Sequence, residues 1–253
     1  MEKEINVIQL ANAVQWWMSY VSAVGRSYVL AESSIKFPLA EYLERSNLKE
    51  IKLEYTHPKL LNRRFDLHFE DSKNTKTAIE FKFIKNGSTR ETSEKKRVFY
   101  DLMRLDLYLD NNKKGYFLIC GAQSDFSTDF YRLLSKPSNT SDNNLFITPD
   151  TKVKTTKKLK SEGFYSKWFS FNIKKPEKEI LLQVKSGEYQ EIYQSFLDEY
   201  KDIFKKSTQN ELSLPYSLTT KLLYISQEYK NEDRFYQPAT IGIWEIIKKT
   251  NGS

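Results

Sequence analysis

Polar and apolar positions alternate almost without fault in two neighbouring stretches, Arg64-Phe65-Asp66-Leu67-His68-Phe69-Glu70 and Ala78-Ile79-Glu80-Phe81-Lys82-Phe83-Ile84. In a strand, successive side chains point to opposite faces. Phe65, Leu67 and Phe69 are therefore predicted on one face of the first strand, with Arg64, Asp66, His68 and Glu70 on the other. The second strand separates Ile79, Phe81 and Phe83 from Glu80 and Lys82 in the same way. Glu50–Tyr55 predicts a strand before these two, and Gly115–Gly121 is a continuous apolar run of the kind expected of a strand buried on both faces.

Helical spacing takes over between the strands. Val7, Leu10, Val14, Trp17 and Val21 form the stripe of a first helix. From Ser27 to Leu43, the positions Tyr28, Ile35, Leu39 and Tyr42 follow one helical stripe, and the position between Tyr28 and Ile35 on it is Glu32. Pro38 would break or kink this helix. Glu41 and Glu44 fall off the stripe and read as surface charge. Asn86-Gly87-Ser88 signals a turn. Ser93–Leu109 follows as a helix with Val98, Leu102, Leu105 and Leu109 on one side, and Asp125–Leu134 is predicted as another. The order through residue 121 is α-β-β-β-α-β, a mixed α/β fold.

The C-terminal part predicts a strand at Lys167–Ile173, an amphipathic helix at Gly187–Lys205, and strands at Tyr216–Ser226 and Thr240–Ile247 separated by a polar connector, Gln227–Gln237. Ser135–Gly163 is rich in Ser, Asn and Asp and then in Lys. It suggests a core over residues 1–140 and an elaboration over 141–253, either a second unit or an insertion in one domain.

If the two alternating strands pair, Asp66, Glu80 and Lys82 gather on one face. Carboxylates that close repel unless a cation lies between them, and oxygen ligands of this type suit Mg²⁺, with Mn²⁺ as a substitute. A lysine beside such a cation can orient an attacking water, a combination suited to phosphodiester hydrolysis. Charged pairs across an exposed hairpin, worth about 0.2–1 kcal/mol each, are the structural alternative.

Asp66, thirteen residues and then Glu80-Phe81-Lys82 resembles the signature of the PD-(D/E)XK nuclease superfamily, the fold of most type II restriction endonucleases. Phe65 stands where the name-giving motif has proline. The resemblance implies a restriction endonuclease-like α-β-β-β-α-β core with a C-terminal α+β elaboration that grips substrate or forms a dimer. It implies Mg²⁺ held by Asp66 and Glu80 and completed by Glu32 from the preceding helix, with Lys82 positioning the water. A carboxylate on the inward face of a helix is costly unless it is paired or metal-bound, which agrees with that role for Glu32. Asp101-Leu102-Met103-Arg104-Leu105 looks like a run that follows the catalytic lysine in several bacterial defence nucleases, although an ion pair three residues apart explains Asp101 and Arg104 equally well.

Charge adds a partner. Forty basic against thirty-three acidic residues give +7, and the pI is about 9.1, which favours a polyanion such as DNA. Lys95, Lys96 and Arg97 follow the turn that leaves the candidate strand. Lys157 and Lys158 belong to a lysine-rich stretch that also holds Lys152, Lys154 and Lys160. Both groups are candidate phosphate contacts, and solvated charge is the alternative for each. Only His57 and His68 are present, with no zinc-finger spacing, no HNH-type histidine site and no identifiable Ser-His-Asp arrangement, and no glycine-rich phosphate loop occurs. His68 shares Asp66's face two residues on, where an exposed strand histidine is expected and a place near the cation is the alternative. One cysteine, Cys120, excludes a disulfide framework and suggests a reducing, cytoplasmic compartment. No apolar run is long enough for a membrane span, and Met1-Glu2-Lys3-Glu4 lacks a signal-peptide layout.

These readings lead to a Mg²⁺-dependent DNA endonuclease, a homodimer if it is a type II restriction enzyme. A nuclease subunit activated by a partner protein in anti-phage defence, and a non-catalytic nucleic-acid-binding module of the same fold, are the alternatives. The geometric expectation is that Glu32, Asp66, Glu80 and Lys82 meet in one cleft.

Overall fold

The alternating stretches become the second and third strands of a seven-stranded mixed sheet in the computed structural model, which describes residues 6–46, 48, 50–84, 92–122, 165, 168–182, 188–202, 216–226 and 239–248. The strands are β1 (Glu50–Thr56), β2 (Arg64–Glu70), β3 (Lys76–Ile84), β4 (Lys113–Ala122), β5 (Glu177–Leu182), β6 (Tyr216–Ile225) and β7 (Ala239–Ile247). The helices among the described residues are α1 (Val7–Ala23), α2 (Glu32–Glu44), α3 (Thr92–Tyr108) and α4 (Glu188–Tyr200). The turn at 86–88, the helix at 125–134, the connector at 227–237 and the segment 135–163 lie outside the described residues.

The strand order is β1-β2-β3-β4-β7-β6-β5. β1, β2 and β3 form an antiparallel meander, while β3 and β4 run parallel over nine residue pairs from Lys76↔Lys113 to Ile84↔Gly121. A parallel neighbour requires a crossover, and α3 provides it. β7 lies antiparallel beside β4, and β6 and β5 follow, so the C-terminal strands extend the same sheet.

Helices cover both faces. On one side, Leu10, Val14 and Met18 of α1 and Ile35, Leu39 and Leu43 of α2 join Leu67, Phe69, Ile79, Phe81, Leu118 and Ile243 in one apolar cluster. On the other, Val98, Phe99, Leu102 and Leu105 of α3 and Tyr193, Phe196 and Tyr200 of α4 pack with Phe117, Ile119 and Trp244. From Gly115 to Gly121, β4 is therefore apolar because its odd and even positions both meet a helix layer. Close packing decides two glycines. A Cβ on Gly121 would sit 2.8 Å from the Ile84 carbonyl oxygen across the parallel pair, and one on Gly242 would strike the Trp244 ring at 2.3 Å.

Several sequence expectations are corrected. Ser27–Val29 is a short 3-10 turn, and extended backbone at Ala31 (φ −154°, ψ 167°) separates it from α2. Tyr28 is consequently 81% exposed and not on a buried stripe, and Glu32 is the first residue of α2. The helix runs through Pro38. Trp168–Ile173 is no strand: Trp168 and Phe169 are buried against the α3 face, and Trp244 Nε1 donates to the Ser170 carbonyl at 2.8 Å. The strand in this region is β5. Phe65 joins the α3 cluster while Leu67 and Phe69 join the α1–α2 cluster, because the pleat is interrupted between them. Across from Asp66, Glu54 has φ of 53°, and residue pairing between β1 and β2 skips that position.

His68 is buried, not exposed. Tyr55 stacks on its ring at 3.9 Å, and its Nε2 lies 3.0 Å from the Tyr108 hydroxyl of α3, while Nδ1 is buried without a partner. Burial, aided by the positive Lys52, Lys76 and Lys113, pushes its pKa down to about 4. Among the described residues, no helix is long and apolar enough to cross a membrane.

The His68 shift predicts a pH effect. A histidine with a folded pKa below its unfolded value of about 6.5 binds fewer protons when folded. Its stabilising contribution is complete above pH 6.5 and is lost as pH falls toward 4. Urea denaturation from pH 7.5 to 4.5 should show wild-type stability falling more steeply than that of His68→Gln. Parallel profiles would show that His68 does not titrate differently on folding.

Candidate active site

The pleat breaks around Asp66. Pairing between β2 and β3 runs from Glu70↔Lys76 to Leu67↔Ile79, and one position further on the Phe81 N–H turns to the Asp66 side chain, donating to Oδ2 at 2.9 Å. The neighbouring strand departs as well, through the left-handed Glu54, a conformation that costs a non-glycine residue about 1 kcal/mol or more. Two interruptions at one level of the sheet leave Asp66 with space around its carboxylate. Lys36 of α2 reaches into this space, with Nζ 3.3 Å from Asp66 Oδ1 and bonded to Glu54 Oε1. Burial opposes the charge on Lys36, and the two carboxylates outweigh it, so its pKa is raised.

Glu80 sits on the next strand with 3% of its surface exposed. Its Oε1 accepts two bonds from Arg104 of α3, from Nε at 3.1 Å and Nη2 at 2.8 Å. Arg104 Nη2 also donates to Asp101, and Nη1 donates to the Tyr200 hydroxyl of α4 at 3.3 Å. The Arg104 and Asp101 side chains are each 14% exposed, so this is a buried ion pair and not a surface one. The backbone is held too. His57 Nδ1 accepts the Lys59 and Leu60 N–H groups at 3.0 and 3.1 Å, which places the ring proton on Nε2, 3.0 Å from the Arg104 carbonyl oxygen.

Lys82, two residues along β3, lies with Nζ 3.5 Å from Glu32 Oε2. Glu32 opens the helix, where a negative charge is favoured by the helix dipole. Its side chain is 44% exposed and that of Lys82 only 9%, so the cluster opens to solvent on the Glu32 side.

Electrostatics tie these groups into one set. Burial raises the Glu80 pKa well above the usual carboxylate range. Arg104 opposes the rise, while Asp101 and Asp66 add to it. Asp101 is pushed up to about 6 by burial, against Arg104 and Lys82, with Asp66 and Glu32 contributing to the rise. Glu32 is raised by burial, with Lys82 opposing and Asp66 adding. Asp66 is the carboxylate common to these shifts, acting on Glu80, Asp101 and Glu32 alike, because a neighbouring negative charge disfavours ionisation of a carboxyl.

The structure thus pairs Lys82 with Glu32 and sets Asp66 within electrostatic reach of Glu32 and Glu80. It does not bring the predicted basic contacts with them. Lys96 donates to Ser195 of α4 at 3.1 Å, and Arg97 is exposed. The Lys95 side chain, Lys157 and Lys158 lie outside the described residues. The residues not anticipated are Lys36, Glu54, His57 and Tyr200. Asp101 lies three residues after Val98 and four before Leu105, beside the buried stripe, which was the sequence signal for its inward position.

An all-oxygen set of Asp66, Glu80 and Glu32 is chemically suited to a hard divalent cation. As they stand, each faces a cationic side chain, Lys36, Arg104 or Lys82. Among the described residues, no group of three or more His, Cys, Asp and Glu side chains is arranged to hold a metal ion.

Removing one partner of a buried ion pair strands the other charge. Arg104→Met should lower unfolding free energy by about 3–5 kcal/mol in urea titrations. Adding Glu80→Gln and Asp101→Asn to the same chain should recover most of that loss. A stable Arg104→Met protein would mean that water reaches the cluster freely. In comparisons with known proteins, the chain matches no family model, no curated protein and no solved structure.

Proposed function

We propose that the protein is a Mg²⁺-dependent endonuclease acting on DNA, with a restriction endonuclease-like core. What carries this reading is that α2, β2 and β3 contribute Glu32, Asp66, Glu80 and Lys82 around one interrupted level of the sheet, with Lys82 paired to Glu32 and Asp66 acting on both Glu32 and Glu80. The order of elements supports it. An antiparallel β1–β3 meander, followed by α3 and a β4 parallel to β3, agrees with the α-β-β-β-α-β core that the resemblance implies.

In this reading Asp66, Glu80 and Glu32 would hold the cation, which would supply Lewis-acid stabilisation of charge on the phosphodiester. Lys82 is anchored by Glu32 at the solvent-facing mouth, and its ammonium orients the attacking water there. Lys36 pairs with the Asp66 carboxylate in the gap between β1 and β3. The Phe81 N–H fixes the second oxygen of the same carboxylate. Water is the nucleophile, and no covalent enzyme intermediate is involved. A restriction enzyme of this type works as a homodimer, each site cutting one strand.

Supercoiled plasmid with Mg²⁺ tests the reading. Wild-type protein should nick or linearise it, and Asp66→Ala and Lys82→Ala should each reduce the rate by about a hundredfold or more. Wild-type protein that is inert on duplex DNA, single-stranded DNA and RNA across Mg²⁺, Mn²⁺ and Ca²⁺ would sink it. Salt-sensitive DNA binding that survives Asp66→Ala and Glu80→Ala without any cleavage would assign a binding module instead.

A further inference from the structure

We propose that the outer face of α1 and α2 seats a second copy of this chain, the two copies related by a twofold axis near Trp16. The residues of this face are separate from the charged cluster, and the inference stands whether or not the chain cuts DNA. α1 buries Leu10, Val14, Met18 and Val21, yet its solvent side is apolar as well, with Ile8, Trp16, Tyr20 and, just past its end, Val24 exposed. The helix has no charged residue, in a chain of which 29% is charged. A helix that is apolar all round is ordinarily covered all round. The opposite helix layer is finished differently: among the described residues, α3 and α4 expose no large hydrophobic side chain.

Trp16 and Trp17 of α1 and Phe37, Pro38 and Tyr42 of α2 line a groove of about 550 Å³ between the two helices. Its walls are fixed in advance. The Tyr42 hydroxyl donates to Gln9 Oε1 at 3.0 Å, which ties α2 to α1, and Trp16 stacks on Tyr20 with ring centroids 5.7 Å apart and planes 7° apart. Side chains ordered before contact lose little entropy on binding. Trp16 is 69% exposed, Tyr20 54% and Phe37 72%, so these three alone hold on the order of 400 Å², at about 200 Å² for each whole side chain. That is roughly half of the 800 Å² or so that a stable dimer removes from each partner. Apolar patches of this size mark contact surfaces.

Shape and charge both favour a copy of the same chain as the occupant. Ile8, Asn12, Trp16 and Tyr20, four residues apart, form a ridge, and the groove beside them can take such a ridge from a partner. The rim carries Glu41 and Arg45, 2.6 Å apart on successive turns of α2 and both well exposed. A twofold axis sets Arg45 of one protomer beside Glu41 of its partner and the reverse, so both charges are matched. A neutral face also suits two molecules that each carry +7 and would repel through a basic one. A membrane surface, by contrast, is met by helices with lysine and arginine beside the apolar face, and α1 has neither.

Analytical ultracentrifugation of the full chain reads the assembly directly. Wild-type protein should sediment at micromolar concentration with twice the chain mass of 29.9 kDa. Trp16→Glu should raise the dimer dissociation constant by about thirtyfold or more, the loss typical of a central aromatic anchor, with its circular dichroism unchanged. Glu41→Arg and Arg45→Glu should each weaken self-association by about tenfold. Mixed together, those two variants should form a heterodimer, because one then has a wholly basic rim and the other a wholly acidic one. Wild-type protein that stays monomeric overturns the inference, and its uptake by phosphatidylglycerol vesicles would assign the face to lipid instead. A dimer that survives Trp16→Glu uses another surface and overturns it equally. If Trp16→Glu fails to fold, the mixing experiment decides: without a preference for the heterodimer, the copies do not meet through these faces.

Discussion

A guanidinium withdrawn from water underlies the arrangement of this molecule. Glu80 and Asp101 are buried carboxylates from different elements, and neither would be tolerated there uncompensated. Arg104 joins them, and burial opposes its charge while the two acids more than restore it. The pair binds α3 to the middle of β3 at a point where apolar packing gives way to polar groups. Because α3 also connects β3 to its parallel neighbour, the position of this helix fixes both the crossover and the charged cluster.

The cluster is placed by faults in regular structure as much as by regular structure itself. Ladder pairing around Asp66 stops on the β3 side and skips a residue on the β1 side, and Glu54 adopts a left-handed backbone at that level. Lys36 spans the resulting gap. Strain of this kind persists only where surrounding packing enforces it, and here Leu39 and Leu43 of α2 and Leu67 of β2 are completely buried close by.

How much of this was legible in the amino-acid sequence follows from which contacts are local. Period-two alternation marked β2 and β3, and the apolar run marked β4, because these depend on neighbours along the chain. The four residues Glu32, Asp66, Glu80 and Lys82 were identifiable by type and order. Their partners were not. An acid and a base three apart on a helix read the same whether they face water or protein, so Asp101 and Arg104 were ambiguous until α4 covered them with Tyr200. His68 looked exposed because alternation reveals that one face is apolar and says nothing about a second helix layer over the other. Tyr108 of α3, forty residues away, settles its burial. In Trp168–Ile173, aromatic residues imitate strand patterning while filling space between the sheet and its helices.

The placement of β7 has a separate consequence for assembly. By pairing with β4 it occupies the edge that a four-stranded meander-and-crossover sheet would leave free, and β6 and β5 carry the sheet further. Among the described residues, the outer strands are then β1 and β5. β1 presents the paired charges Lys52 and Glu50 along its length, a feature that discourages strand addition. β5, on the opposite border of the sheet from Glu54 and Lys36, carries Glu177, Lys178 and Glu179 in succession, so charge restrains strand addition at both borders.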